Sequence, residues 1–126
     1  GWNKKNIKNQ FFKTKNFSIG YYRNRKLLGF LIGDNVKINK YFELELYILF
    51  VDKSERRSKI ATRILKYIEL NKKFNNISKI YLEVAENNTE ALEFYKKNNF
   101  VFLNFRHNYY KYKDEKVNAI CLSKKF

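Results

Sequence analysis

The hydrophobic period of this chain switches twice between Tyr41 and Ala85, and that switch limits the folds open to it. Tyr41 to Val51 alternates in part, the period of a strand with one buried face. Leu44, Leu46, Ile48 and Phe50 are expected on one side, and Glu43, Glu45, Tyr47, Leu49 and Val51 on the other. Ile60, Ala61, Ile64, Leu65 and Ile68 then recur at helical spacing, with Arg63, Lys66 and Glu69 opposite. This helix is expected to end in the Asn-rich stretch around Asn75 and Asn76. Lys79 to Ala85 alternates again, with Ile80, Leu82 and Val84 opposed to Tyr81 and Glu83.

The flanking segments extend the pattern. Phe17 to Tyr22 and Leu27 to Ile32, separated by Arg23-Asn24-Arg25-Lys26, read as an antiparallel hairpin. A second helix is expected from Thr89 to Asn98, capped by Asn87 or Asn88, with Asn99 in the left-handed position past its end. Phe100 to Phe105 and Val117 to Leu122 complete the set as two strands joined by a polar turn. Asn3 is placed to cap a short helix reaching Phe12. The order is that of a mixed sheet with helices packed on it, an α/β or α+β architecture. No repeat or linker interrupts it, so residues 1–126 read as one domain.

Composition narrows the function classes. With 44% hydrophobic and 18% aromatic residues the chain is a folding sequence rather than a disordered one. No apolar run approaches the ~18 residues of a membrane span, and one cysteine, Cys121, excludes an internal disulfide framework and gives no metal-ligand cluster. A reducing cytoplasm and a monomeric state are the expectations. The net charge of +15 favours anionic partners, RNA and ribosomes included. Abundant Lys, Asn, Ile, Phe and Tyr without any Pro also read as compositional bias on a solvated surface. The chain begins at Gly1 and holds no Met, so either its start is processed or it is part of a longer protein.

Chemistry concentrates where the strand ending Leu49-Phe50-Val51 runs into Arg56-Arg57-Ser58-Lys59-Ile60-Ala61 and opens the first strong helix. Unpaired N–H groups at a helix start, the helix dipole and three cationic side chains suit a phosphate. A solvated basic turn has the same composition.

That run resembles the acetyl-CoA signature Q/R-x-x-G-x-G/A of the GNAT superfamily, with Arg56 and Ala61 at its ends and Lys59 at its first glycine. Leu82-Glu83-Val84, Asn88, Ala91, Leu92, Tyr95 and Asn99-Phe100 resemble the family's L-E-V…N-x-x-A-I-x-L-Y-x-x-x-G-F block. Arg106-His107-Asn108-Tyr109-Tyr110 is similar to the R-x-N-Y-Y run of its RimI-like branch, the ribosomal-protein alanine N-acetyltransferases. Trp2-Asn3 and Asn118-Ala119-Ile120 are weaker matches to the same branch. The resemblance implies a GNAT fold, a mixed and mostly antiparallel sheet flanked by helices. It also implies that the family's first strand and most of its first helix would lie upstream of Gly1.

The implied activity is acetyl transfer from acetyl-CoA, as cosubstrate, to an amine, most specifically the N-terminal alanine of a small-subunit ribosomal protein. Backbone amides of Leu49, Phe50 and Val51 would hold the acetyl carbonyl, and Arg56, Arg57, Ser58, Lys59, Ile60 and Ala61 the pyrophosphate. Glu83 is the expected base, against the alternative of a half-exposed surface glutamate, and Tyr95 the expected acid, against that of a core tyrosine. Asn88 either caps its helix or also touches the cofactor arm. Glu43 and Glu45 are placed to meet a basic peptide or simply to solubilise the strand, and Tyr109 and Tyr110 to wall the acceptor or to pack. Cys121, in an apolar strand, and His107, without a partnered Cys or Ser, give no nucleophile. Two rivals remain: a related enzyme acting on other N-termini or a small amine, and a non-catalytic module of this fold that binds RNA or the ribosome through its charge.

Overall fold

The computed structural model describes residues 14–112 and 115–126, which leaves the helix expected from Asn3 outside the described residues. β1 (Thr14–Arg23) and β2 (Lys26–Ile38) pair as a hairpin. Asn24 and Arg25 at its tip both take positive φ, the geometry of a two-residue turn whose twist matches its strands. β3 (Tyr41–Val51) returns antiparallel to β2. A 3-10 turn over Lys53–Ser58 leads into α1 (Ile60–Leu70), then α2 (Lys72–Asn75) and β4 (Ile77–Ala85). α3 (Thr89–Lys97), β5 (Val101–Tyr112) and β6 (Glu115–Lys125) follow. The sheet order is β1-β2-β3-β4-β6-β5, and only β3 and β4 run parallel. The strands extend beyond the alternating stretches that announced them, because ladder hydrogen bonds continue through polar positions. The long helix expected to reach Asn75 breaks at Asn71, which separates α1 from α2.

Ile60, Ile64, Leu65 and Ile68 form the buried stripe of α1, as their spacing dictates. They pack in one cluster with Leu31, Leu44, Leu46, Ile80, Leu82 and Val84 of the sheet and with Tyr95 and Phe100. The faces of β3 depart from simple alternation. Leu44 and Leu46 are buried, yet Ile48 and Phe50 are exposed while Leu49 and Val51 pack against the core. The cause is a register shift: Ile32 faces Ile48 but Gly33 faces Leu46, so Tyr47 is an extra residue on β3. Such a bulge inverts the side-chain phase of everything beyond it. Gly33 makes this possible, since a Cβ there would stand 2.2 Å from the Glu45 carbonyl oxygen.

Candidate active site

The bulge also bends β3 away from β4. The two strands are in register from Phe42 opposite Ile77 to Glu45 opposite Tyr81, and the pairing stops there. Beyond that point β3 keeps β2 as its neighbour and β4 keeps β6, so the space between β3 and β4 opens into a cleft of about 420 Å³. Leu46, Tyr47, Ile48 and Leu49 line one side, Leu82, Glu83, Val84 and Ala85 the other, and Asn88, Ala91 and Tyr95 of the α3 region close it. Parted parallel strands present backbone donors and acceptors that still need partners, and an extended ligand carrying amides supplies them.

The start of α1 follows the end of β3 through the 3-10 turn. Lys59 precedes it with φ 61° and ψ 32°, and no side chain caps the helix, so its first N–H groups face outward. The left-handed angle explains why a glycine suits this position, and Lys59 accommodates it with its side chain in solvent. Arg56 and Arg57 are also exposed beside it, whereas Ser58 is folded back, its hydroxyl donating to the Glu55 carbonyl at 2.6 Å. Helix N–H groups, dipole and cations together are groups that suit a phosphate.

The α3 end of the cleft is built with similar economy. Asn88 caps the helix, its Oδ1 accepting from the Ala91 N–H at 3.2 Å, and lines the cleft as well. At the other end Asn99 takes φ 68°, the Phe100 N–H donates to the Tyr95 carbonyl and the Asn99 N–H to that of Lys96. This is a Schellman ending, and its usual hydrophobic contact is the edge-on packing of Phe100 against Tyr95, ring centroids 5.2 Å apart. The helix terminus therefore fixes the Tyr95 ring. Its hydroxyl meets no hydrogen-bond partner among the described residues, and burial raises its pKa to about 12. A phenol so placed stays protonated at neutral pH and is available as a donor.

Glu83 approaches the cleft from the opposite face of the sheet. Register pairs Tyr81 with Ser123 and Glu83 with Cys121, a face distinct from that of Leu82 and Val84. Glu83 Oε1 accepts from Arg106 Nη1 at 2.7 Å and from the Tyr81 hydroxyl at 2.9 Å, with Cys121 Sγ at 3.9 Å. Burial, then hydrogen bonds with Cys121 and Glu83, push the Tyr81 phenol far above its ordinary range. On the same face Tyr47 is hydrogen-bonded to Glu45 Oε2 at 2.9 Å and Asp34 Oδ2 at 3.2 Å, and burial followed by these carboxylates raises it likewise. The cleft thus holds a neutral phenol from the helix side and an anchored carboxyl group from the other.

A model of the acetyltransferase (GNAT) family matches residues 2–100. The chain belongs to that family. It is accordingly an acetyl-CoA-dependent acyltransferase. The crystal structure of the ribosomal-protein-S18-alanine N-acetyltransferase of Escherichia coli superposes with a TM-score of 0.71 at 26% identity, over 98% of this chain and 77% of that one. Naa50 of Arabidopsis thaliana, solved with the bisubstrate analogue CoA-Ac-MVNAL, gives 0.77 at 25% identity, over 99% and 82%. A GNAT acetyltransferase of Elizabethkingia anophelis with acetyl-CoA bound shares the fold, with a TM-score of 0.73 at 17% identity, over 98% and 84%. No curated protein matches the sequence.

Of the residues that the family resemblance singled out, Glu83, Tyr95, Asn88 and Leu49 gather at the cleft. Phe50 and Val51 do not line it: Phe50 stacks on Phe30 across the strand pair and Val51 packs inward, because the bulge shifts the lining stretch to Leu46–Leu49. Ile60 is buried in the core, with Ala61 half-buried after it. Glu43 lies beside Lys79 in register, and Glu45 touches the site through Tyr47. Tyr109 and Tyr110 fall in the part of β5 where only the backbone is described. Arg106, Tyr81 and Tyr47 were not among the predicted site residues. Alternation from Glu83 already puts Tyr81 on its face, whereas the reach of Arg106 across the sheet leaves no mark in sequence. Among the described residues no cluster of three metal-ligating side chains occurs, and no helix is long and apolar enough to cross a membrane.

Proposed function

We propose that this enzyme transfers the acetyl group of acetyl-CoA to the N-terminal amine of a protein, with an alanine-first ribosomal protein as the preferred acceptor. The observation that carries the reading is the convergence of Glu83 and Tyr95 on one cleft from opposite faces of the sheet. The cosubstrate fits the residues present: exposed Arg56, Arg57 and Lys59 and the uncapped start of α1 suit its pyrophosphate, and the parted strand β3 suits its amide-bearing arm. The thiol end would then lie at Tyr95, with the acceptor arriving from the side of Glu83, Glu45 and Tyr47.

In this reading Glu83 takes a proton from the acceptor ammonium, whose reference pKa near ~8 asks for only a modest base. The freed lone pair attacks the thioester carbon, and backbone N–H groups along Leu46–Leu49 hold the oxygen that becomes negative. As the carbon–sulfur bond breaks, Tyr95 gives its proton to the leaving thiolate, while the second proton shed by the nitrogen as it becomes an amide passes to solvent, from which Tyr95 is reprotonated. Two relatives at 25–26% identity, named for or solved with protein N-terminal acceptors, support the acceptor class. Transient contact with the ribosome through the basic surface agrees with a charge of +15.

Calorimetric titration with acetyl-CoA, with desulfo-CoA as a control for polyanion attraction, followed by peptide acetylation assays, tests the proposal. Saturable binding and turnover favouring alanine-first peptides, slowed at least ~100-fold by Glu83→Gln or Tyr95→Phe, are the expected results. A folded protein that ignores acetyl-CoA but binds RNA with steep salt dependence would refute it in favour of the non-catalytic module.

A further inference from the structure

The donors around Glu83 all meet one of its two oxygens. Oε1 receives Arg106 Nη1 at 2.7 Å, the Tyr81 hydroxyl at 2.9 Å and the longer Cys121 contact. The first two fill the acceptor positions of that oxygen. No donor among the described residues reaches Oε2, and Glu83 lines the cleft. The carboxylate is therefore held by one oxygen, with the other left for a ligand.

We infer that Arg106 is a positioning residue which, with Tyr81, clamps Oε1 of Glu83 so that Oε2 is the atom presented to the acceptor amine. This inference rests on the acetyltransferase reading above and assigns a role to a residue that the reading does not use. Arg106 belongs to β5, the sheet edge, and Glu83 to β4, with β6 between them. The guanidinium must cross β6, and the residues beneath its path are small. Ala119 stands in register with both Arg106 and Ala85, and Cys121 with Glu83; both are fully buried. A larger side chain at position 119 would close this route.

Sequence spacing alone cannot bring the two residues together, since they are 23 positions apart and join only through the β4-β6-β5 order. The pair is a charge-assisted hydrogen bond, with Arg106 half-exposed and the Glu83 side chain 16% exposed. Its attraction is screened on the arginine side, so the main service is geometric. A general base displaced by ~1 Å from its productive position loses on the order of 100-fold in rate.

The test is a double-mutant cycle on the intact chain with acetyl-CoA and an alanine-first peptide. Arg106→Ala is expected to lower kcat by ~10- to 100-fold while the KM for acetyl-CoA changes less than ~2-fold. Arg106→Lys keeps one donor and the charge, and should recover part of the loss. In a Glu83→Gln background Arg106→Ala should add little, because both changes act on one group. Equal kcat for wild type and Arg106→Ala overturns the inference, as does a full additional loss in the Glu83→Gln background. Should Arg106→Ala unfold, as read by thermal denaturation, Arg106→Lys and Arg106→Gln carry the same comparison. A wild-type protein inert towards acetyl-CoA and every peptide sinks the functional reading itself, and that result is distinct from an active enzyme indifferent to Arg106.

Discussion

Replacing Lys59 by glycine should stabilise this protein, which is an unusual expectation for a lysine proposed to meet the cofactor. Lys59 holds φ 61° and ψ 32°, a left-handed conformation that costs an L-residue ~1–2 kcal/mol relative to its preferred regions. Its side chain is exposed and makes no hydrogen bond or ion pair among the described residues, so little packing is lost on removal. Glycine relieves the left-handed strain but surrenders ~0.5–1 kcal/mol through its freer unfolded chain. The net gain is ~0.5–1 kcal/mol, or ~2–5 °C in Tm for a chain of this length. Lys59→Ala is the decisive control, because it removes the charge and keeps the Cβ. Thermal unfolding followed by circular dichroism should rank Lys59→Gly above both wild type and Lys59→Ala. Calorimetry with acetyl-CoA should then show Lys59→Ala binding less tightly than wild type, and Lys59→Gly recovering affinity as the backbone gains room to approach phosphate. A glycine variant no more stable than the alanine variant would refute the strain argument outright.

Other consequences follow from single positions. Burial raises the Tyr95 pKa from 10.0 to about 12, so its contribution to stability is complete below pH 10 and is lost as pH rises towards 12. Tyr95→Phe should flatten the alkaline side of the stability curve by about 3 kcal/mol between those limits, measured by urea unfolding at successive pH values, two pKa units at ~1.36 kcal/mol each. Gly33→Ala drives a Cβ into the Glu45 carbonyl and should destabilise by ~3 kcal/mol or more, with loss of the cleft; an unchanged midpoint in urea would contradict the bulge geometry. Ser123 Oγ is fully buried without a partner among the described residues, so Ser123→Ala should be neutral or stabilising by ~1 kcal/mol in the same assay.

Local chemistry was legible wherever it is settled by near neighbours along the chain. The α1 stripe of Ile60, Ile64, Leu65 and Ile68, the Asn88 cap and the left-handed Asn99 depend on spacing, side-chain length and backbone preference, and the structure has all of them. Glu83 and Tyr95 were legible as well, from alternation, helix phase and family pattern together, and they do meet at one cleft. The break at Asn71 was not, because a polar residue between two helical segments carries the same local signature as a continuous helix.

What the sequence by itself determined, then, is the order of the main strands and helices and the face that each residue takes where no bulge intervenes. Tertiary structure decided the rest through register. The extra residue Tyr47 exists only relative to β2, so the inverted phase of Ile48 to Val51, and with it the cleft lining, cannot be read from β3 alone. The ion pair of Arg106 with Glu83 likewise requires β5 to lie two strands from β4, with small residues between them. Periodicity is a property of one segment, whereas pairing and reach are relations between segments distant in the chain, and packing fixes those.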